Sequence, residues 1–121
     1  MRFALLFAIT TIAISSKATV LNGNEFLAYY KNIDQVNIAN FLNGYVAGQW
    51  DSLEYTNETL TDCVGPDIKM SQLVDVIGIY LQQNPQVRHF HPNAFIEYAI
   101  AQSFGCSNSI ESPDQLKNQP N

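Results

Sequence analysis

The residues of this chain best equipped for chemistry are two cysteines, Cys63 and Cys106, a His89-x-His91 pair, and the acid Asp67 just downstream of the first cysteine. A thiolate beside a histidine that a carboxylate orients is the arrangement of a nucleophilic hydrolase. Thiols and imidazoles are also metal ligands. A structural zinc site, however, draws four donors from closely spaced pairs, and two distant cysteines with one His-x-His do not make that pattern. The third use of two cysteines is a bond to each other. Asn57-Glu58-Thr59 adds an Asn-x-Thr glycosylation acceptor, which a bacterial protein would usually leave unmodified.

Which use applies depends on the compartment, and the first residues speak to it. Arg2 supplies a positive start, Phe3 to Ile14 form a mostly apolar run, and Ser16-Lys17-Ala18 is a small-x-small cleavage site, so residues 1–18 read as an export signal. The apolar run is shorter than the roughly 20 residues that cross a bilayer as a helix, and no later segment is apolar enough to try. In an oxidising compartment a Cys63–Cys106 disulfide is expected. Two free thiols, a metal site or a Cys-His nucleophile are the competing readings. With the cysteines bridged, the sequence offers no evident catalytic residue, no cofactor motif and no metal site, and the expectation is a binding protein rather than an enzyme.

Cleavage after Ala18 leaves residues 19–121, enough for one domain and too few for two ordinary cores. It also removes Arg2 and Lys17. Lys31, Lys69, Arg88 and Lys117 then stand against 11 acidic residues. Such a surface cannot neutralise phosphates, which excludes nucleic acid as a partner and favours a basic protein or another cationic surface. The same charge also serves simply to keep a small domain soluble.

The elements that must position these residues are helical. Apolar residues recur at three- and four-residue steps and strand-like alternation is scarce, which predicts an all-α fold of four helices. A short first helix runs from about Glu25 to Lys31, capped by Asn22 or Asn24, with Phe26, Leu27 and Tyr30 as its apolar side. A long second helix, about Gln35 to Glu54, starts behind Asp34 and carries Ala39, Leu42, Val46, Trp50 and Leu53. Gly44, Ala47 and Gly48 on its other face predict a close crossing with another helix, in the same chain rather than in a second copy. A third helix, about Ser71 to Gln83, has the stripe Leu73, Val74, Ile77, Tyr80 and Leu81 and stops at Pro85. Pro92 opens a fourth, its buried side filled by Phe95, Ile96, Tyr98, Ala99, Ile100 and Phe104 and its end set by Gly105. The disulfide would close the hairpin of these last two helices. Residues 19–106 thus form the domain, and 107–121, rich in Ser, Asn, Gln and Pro, are expected to be a flexible tail.

The order of short runs along the chain resembles a known family. Gly44-Tyr45-Val46-Ala47-Gly48, then Cys63-Val64-Gly65-Pro66, then Gln72 to Val76, Tyr80-Leu81, Pro85, Arg88-His89 and finally Ala94 to Cys106 are similar to the Rap/Tai immunity proteins of type VI secretion. The family commonly ends its last run with Phe-Pro-Cys, where this chain has Phe104-Gly105-Cys106. The resemblance implies a periplasmic helical protein, often a homodimer, that binds a peptidoglycan amidase injected by competing cells and occludes its active site. It does not identify the amidase, and some family members have no toxin encoded beside them.

Contact residues are sought outside the helices. Tyr55 to Asp62 and Asn84 to His91 read as connections, with Tyr55 and Glu58 in the first and Arg88, His89 and His91 in the second as partner-binding candidates. The histidines also suit a packing or capping role in that turn. The alternatives are a periplasmic acid-stress chaperone, whose charge would reverse at low pH as carboxylates protonate, and an orphan helical binding domain.

Overall fold

Helical periodicity becomes helix at each of the four expected places in the computed structural model, which describes residues 21–110. The expected export signal, residues 1–18, lies outside them, as do residues 111–121 of the expected tail. The regular structure among the described residues is helical throughout, with α1 at Gly23–Tyr30, α2 at Val36–Thr56, α3 at Glu58–Val64, α4 at Met70–Gln83 and α5 at Pro92–Ser103. None of these helices is long and apolar enough to cross a membrane.

Asn22 starts α1 with a reciprocal cap, its Oδ1 accepting from the Glu25 N–H at 2.9 Å while the Glu25 side chain accepts from the Asn22 N–H. Eight residues make too short a helix to persist alone, and packing holds it. Two glycines permit that packing. A Cβ on Gly23 would lie 2.6 Å from the Arg88 Cα, and one on Gly78 would lie 2.5 Å from the Tyr30 ring. The α1 backbone therefore sits directly on the α4–α5 turn, and the Tyr30 ring lies flush on α4. The close crossing expected at Gly44 and Gly48 is absent among the described residues: both are exposed, and a Cβ on either would meet none of them within 4 Å.

The core is built largely from the expected stripes, although Phe104, placed by the sequence on the buried side of the fourth helix, is exposed. Leu42 and Val46 of α2, Leu73, Val74, Ile77 and Leu81 of α4, and Phe95, Ile96 and Ile100 of α5 are all buried. Each such side chain contributes about 1.5–3 kcal/mol on leaving water. Phe26 of α1 meets Phe95 edge to face, with centroids 6.1 Å apart. Helix α4 occupies the middle, packed by α1, α2 and α5.

The fifth helix, α3, was not expected. The segment Tyr55 to Asp62, read from sequence as a connection, consists of the last turn of α2, a single joint at Asn57 and most of α3. Asn57 leaves the helical region (φ −148°, ψ 67°), and its Oδ1 accepts from the Leu60 N–H at 3.2 Å, so one residue ends α2 and caps α3. Its amide nitrogen donates to Glu97 Oε1 on α5 and to the Ser109 carbonyl at 2.7 Å. Leu60, fully buried, fastens α3 to the core.

The Cys63–Cys106 disulfide is present, with Cα atoms 6.1 Å apart, and joins the end of α3 to the residue after the α5 terminus. Gly105 (φ 69°) turns the chain there, letting the Cys106 N–H reach the Ala101 carbonyl at 2.7 Å. Beyond it, Ser107–Ser109 form a 3-10 turn and Ile110 packs against the core. Caps differ at two further helices. Gln35 and not Asp34 precedes α2, and it makes no side-chain cap. Helix α4 begins before Ser71, at Met70, with the Gln72 side chain accepting from the Lys69 N–H at 3.2 Å.

Candidate partner-binding site

Each residue proposed from the sequence as a partner contact has a definite place. Tyr55, next to last in α2, is 92 % exposed, the most prominent aromatic side chain on the described surface. Glu58, the first residue of α3, is also exposed. Across the molecule, Arg88 is turned inward: Nε donates to the Leu81 carbonyl at 2.6 Å and the terminal nitrogen to the Gln82 carbonyl at 2.9 Å. Its own carbonyl accepts from the Asn24 N–H at 3.0 Å. Arg88 thus satisfies the carbonyls at the end of α4 and receives the start of α1, and its guanidinium is committed inside the chain. His91 caps α5, Nδ1 accepting from the Asn93 N–H at 3.3 Å. His89 is exposed, with its ring edge-on to Phe90 at 4.6 Å. Of the second group, only His89 is free to meet a partner without undoing an internal bond.

The two groups lie on separate connections, and no hydrogen bond joins them. What the structure adds to the first group is a cleft. Helix α3 turns back beside the last turns of α2, and between them opens a space of about 450 Å³ walled by Trp50, Glu54, Glu58, Thr61 and Asp62, with Gly65-Pro66 at its rim. Three carboxylates and no basic side chain line it. Trp50 is only 8 % exposed, and Thr61 is tied down by its hydroxyl, which donates to the Glu58 carbonyl at 3.1 Å. Gly65 (φ 93°) reverses the chain immediately after α3, a conformation in which other residues are strained, and the disulfide at Cys63 holds the same corner.

Of these residues only Glu58 was a candidate from sequence, because Asp62 joins the α2 pair Trp50 and Glu54 only once α3 folds back. The signal that points to α3 is local: Asn57 is a good cap, Glu58 suits a first helical turn, and Leu60 is apolar at the right step. The glycosylation acceptor occupies this joint. Its nitrogen is already spent on Glu97 and Ser109, so the folded domain does not present it.

A second groove, between α2 and α5, is lined by Ser52, Thr56, Asn93 and Glu97 among others and carries no cluster of charge. Among the described residues no three metal-ligating side chains converge. The groups whose protonation the fold shifts are tyrosines remote from the cleft. Burial, then the neighbouring Tyr98, raises Tyr80 above the phenol range, and burial, then Asp75, raises Tyr30, whose hydroxyl donates to Asp75 at 3.2 Å. The corner formed by α2 and α3 is thus acidic, with Glu54, Glu58 and Asp62 exposed.

Compared with known proteins, residues 22–106 match the family model of the Rap1a immunity proteins. The matched span starts at the cap of α1 and ends at the second cysteine of the disulfide. No curated protein and no solved structure matches the chain.

Proposed function

The chain belongs to the Rap1a immunity protein family, and from that premise we propose that it is a periplasmic immunity protein that binds a type VI secreted peptidoglycan amidase and covers its active site. The observation that carries this reading is the family match over the whole helical domain, both cysteines included. The described surface suits the task. A disulfide-closed domain loses little freedom on binding, and an acidic corner with a protruding tyrosine suits a more basic enzyme cleft. Tyr55, Glu58 and His89 are the proposed contacts. Arg88 and His91 support the turn that presents His89.

The protein acts by binding and uses no cofactor or metal. It reaches the periplasm through cleavage of residues 1–18. A second copy packs on the open Gly44 and Gly48 face of α2, beside the half-exposed Tyr29 and Phe41, whose rings lie 5.0 Å apart. Sedimentation of the mature chain then shows a dimer.

The decisive experiment adds the purified mature protein to the Cys-His amidase encoded beside it and follows release of wall peptides. Stoichiometric inhibition is the expected result, accompanied by survival of cells that receive the amidase in their periplasm. An amidase that digests the wall equally well with or without a molar excess of this protein rejects the reading.

A further inference from the structure

We propose that Cys63 is the exchange site of the Cys63–Cys106 disulfide, the sulfur on which a thiol-disulfide oxidoreductase forms its mixed disulfide when the bond is made or opened, with Cys106 as the buried resolving sulfur. The presence of such an enzyme in the same compartment rests on the export reading above, whereas the choice of sulfur does not. Two features of the fold make the bond one-sided. The first is access. Cys106 is 3 % exposed and belongs to the core, so almost none of it is open to an external thiol or disulfide. Cys63 is exposed in the last turn of α3, and Asp62, Pro66 and Asp67 around it are exposed too, which leaves room for another protein to approach.

The second is what holds the two residues once the bond is open. Cys106 stays placed by the Gly105 turn and by its N–H, which donates to the Ala101 carbonyl at 2.7 Å. Leu60, fully buried, and Asn57, bonded to Glu97 and Ser109, keep α3 where it is, so the Cα atoms, 6.1 Å apart, remain within bonding reach. A thiolate on Cys106 would lie in the apolar core, with the Phe104 carbonyl oxygen 3.6 Å from its sulfur, which favours its return to the bond. Closure then runs in two steps. The Cys63 thiolate attacks the disulfide of the oxidoreductase, a bond forms from Cys63 Sγ to one enzyme sulfur, and the other leaves as a thiolate. Cys106, deprotonated, attacks Cys63 Sγ, and the first enzyme sulfur departs with the electron pair of the broken bond. Two electrons and two protons pass from the cysteine pair to the enzyme, whose disulfide becomes a dithiol. Opening is the reverse, with attack at Cys63 Sγ and Cys106 as the leaving group.

The choice of sulfur is read by adding reduced glutathione to the folded, oxidised protein, quenching with N-ethylmaleimide in urea and mapping the modified peptides. Glutathione on Cys63 and maleimide on Cys106 of the same chain is the expected result. Glutathione on Cys106, or equally on both, overturns the assignment, and so does a bond that glutathione opens only when urea unfolds the chain. Single variants, their fold checked by circular dichroism, supply the rates. In buffer the lone Cys63 of the Cys106→Ser variant should take up glutathione from oxidised glutathione on the order of 100-fold faster than the lone Cys106 of the Cys63→Ser variant, a difference that vanishes in urea. Equal rates in buffer also overturn it. If glutathione selects Cys63 in the purified protein while the full-length Cys106→Ser chain in cells stays uncleaved and carries no mixed disulfide, the export reading falls and the exchange site stands.

Discussion

Arg88 illustrates how one side chain can look like a contact and act as a brace. Its two donated hydrogen bonds end on the Leu81 and Gln82 carbonyls, which the last turn of α4 leaves without helical partners. A charged hydrogen bond of this kind is worth about 1.5–3 kcal/mol at a part-buried acceptor such as the Leu81 carbonyl, and less at the exposed Gln82 carbonyl, which water can reach. Arg88→Ala is therefore expected to lower stability by roughly 2–4 kcal/mol in urea denaturation, while the folded fraction keeps its affinity for a partner. Lysine should recover less than half of the loss, since one ammonium cannot span two carbonyls as a planar fork does. Tyr80 contributes to an alkaline pH dependence that Tyr30 and Tyr45, raised in the same direction, share. The folded value of Tyr80 is raised, chiefly by burial and then by Tyr98, so its stabilising contribution is complete below the unfolded value of 10.0 and is lost as pH rises past it. The melting temperature should hold up to about pH 9.5 and fall beyond about pH 10, and Tyr80→Phe should flatten that fall. A slope identical in the variant would assign the alkaline loss to other groups.

At the scale of helices, glycines separate what spacing reveals from what only folding reveals. Gly44-x-x-x-Gly48 looks like a crossing motif, yet among the described residues the glycines that admit a close neighbour are Gly23 and Gly78. A glycine face shows that close approach is allowed, whereas the partner that approaches is set by long-range packing. Gly23→Ala places its methyl against main-chain atoms of Arg88 that cannot rotate away, and should cost about 1–3 kcal/mol. Gly48→Ala meets open space and replaces a poor helix former, so it should add about 0.5–1 kcal/mol to the stability of the monomer. Thermal melts of the two variants test both signs at once. The four longer elements were legible because two or more turns of apolar spacing identify a buried face. Helix α3, seven residues long, has too few turns for periodicity, and with it went the cleft, since Glu58 and Asp62 join Trp50 and Glu54 only when Asn57 folds α3 back. The disulfide was legible because compartment and pairing number both bear on it. The bracing role of Arg88 was not legible because its acceptors, main-chain carbonyls at a helix end, leave no mark in the pattern of side chains.

For the whole molecule, the disulfide divides stability from recognition. It closes a span of 43 residues that contains α4 and α5 and ties them to α3. On the chain-entropy account a bond over such a span is worth about 4 kcal/mol, a large part of the roughly 5–15 kcal/mol that hold a domain of this size. Cys106 is buried, so replacement by serine, which is close to cysteine in size, at both positions removes the bond with little change in volume. The double variant is expected to unfold at markedly lower denaturant concentration. Recognition should survive, because the orientation of α3 has supports besides the bond: Leu60 is sunk in the core, Asn57 is bonded to Glu97 and Ser109, and Gly65 turns the chain. The folded fraction, measured at low temperature where the variant remains native, should bind the amidase within about tenfold of wild type, the residual loss reflecting a rim less ordered in advance. A native-like double variant that does not bind at all would make the bond part of the recognition surface itself, and the cleft beside Cys63 would then owe its shape to the bridge more than to the packing of α3.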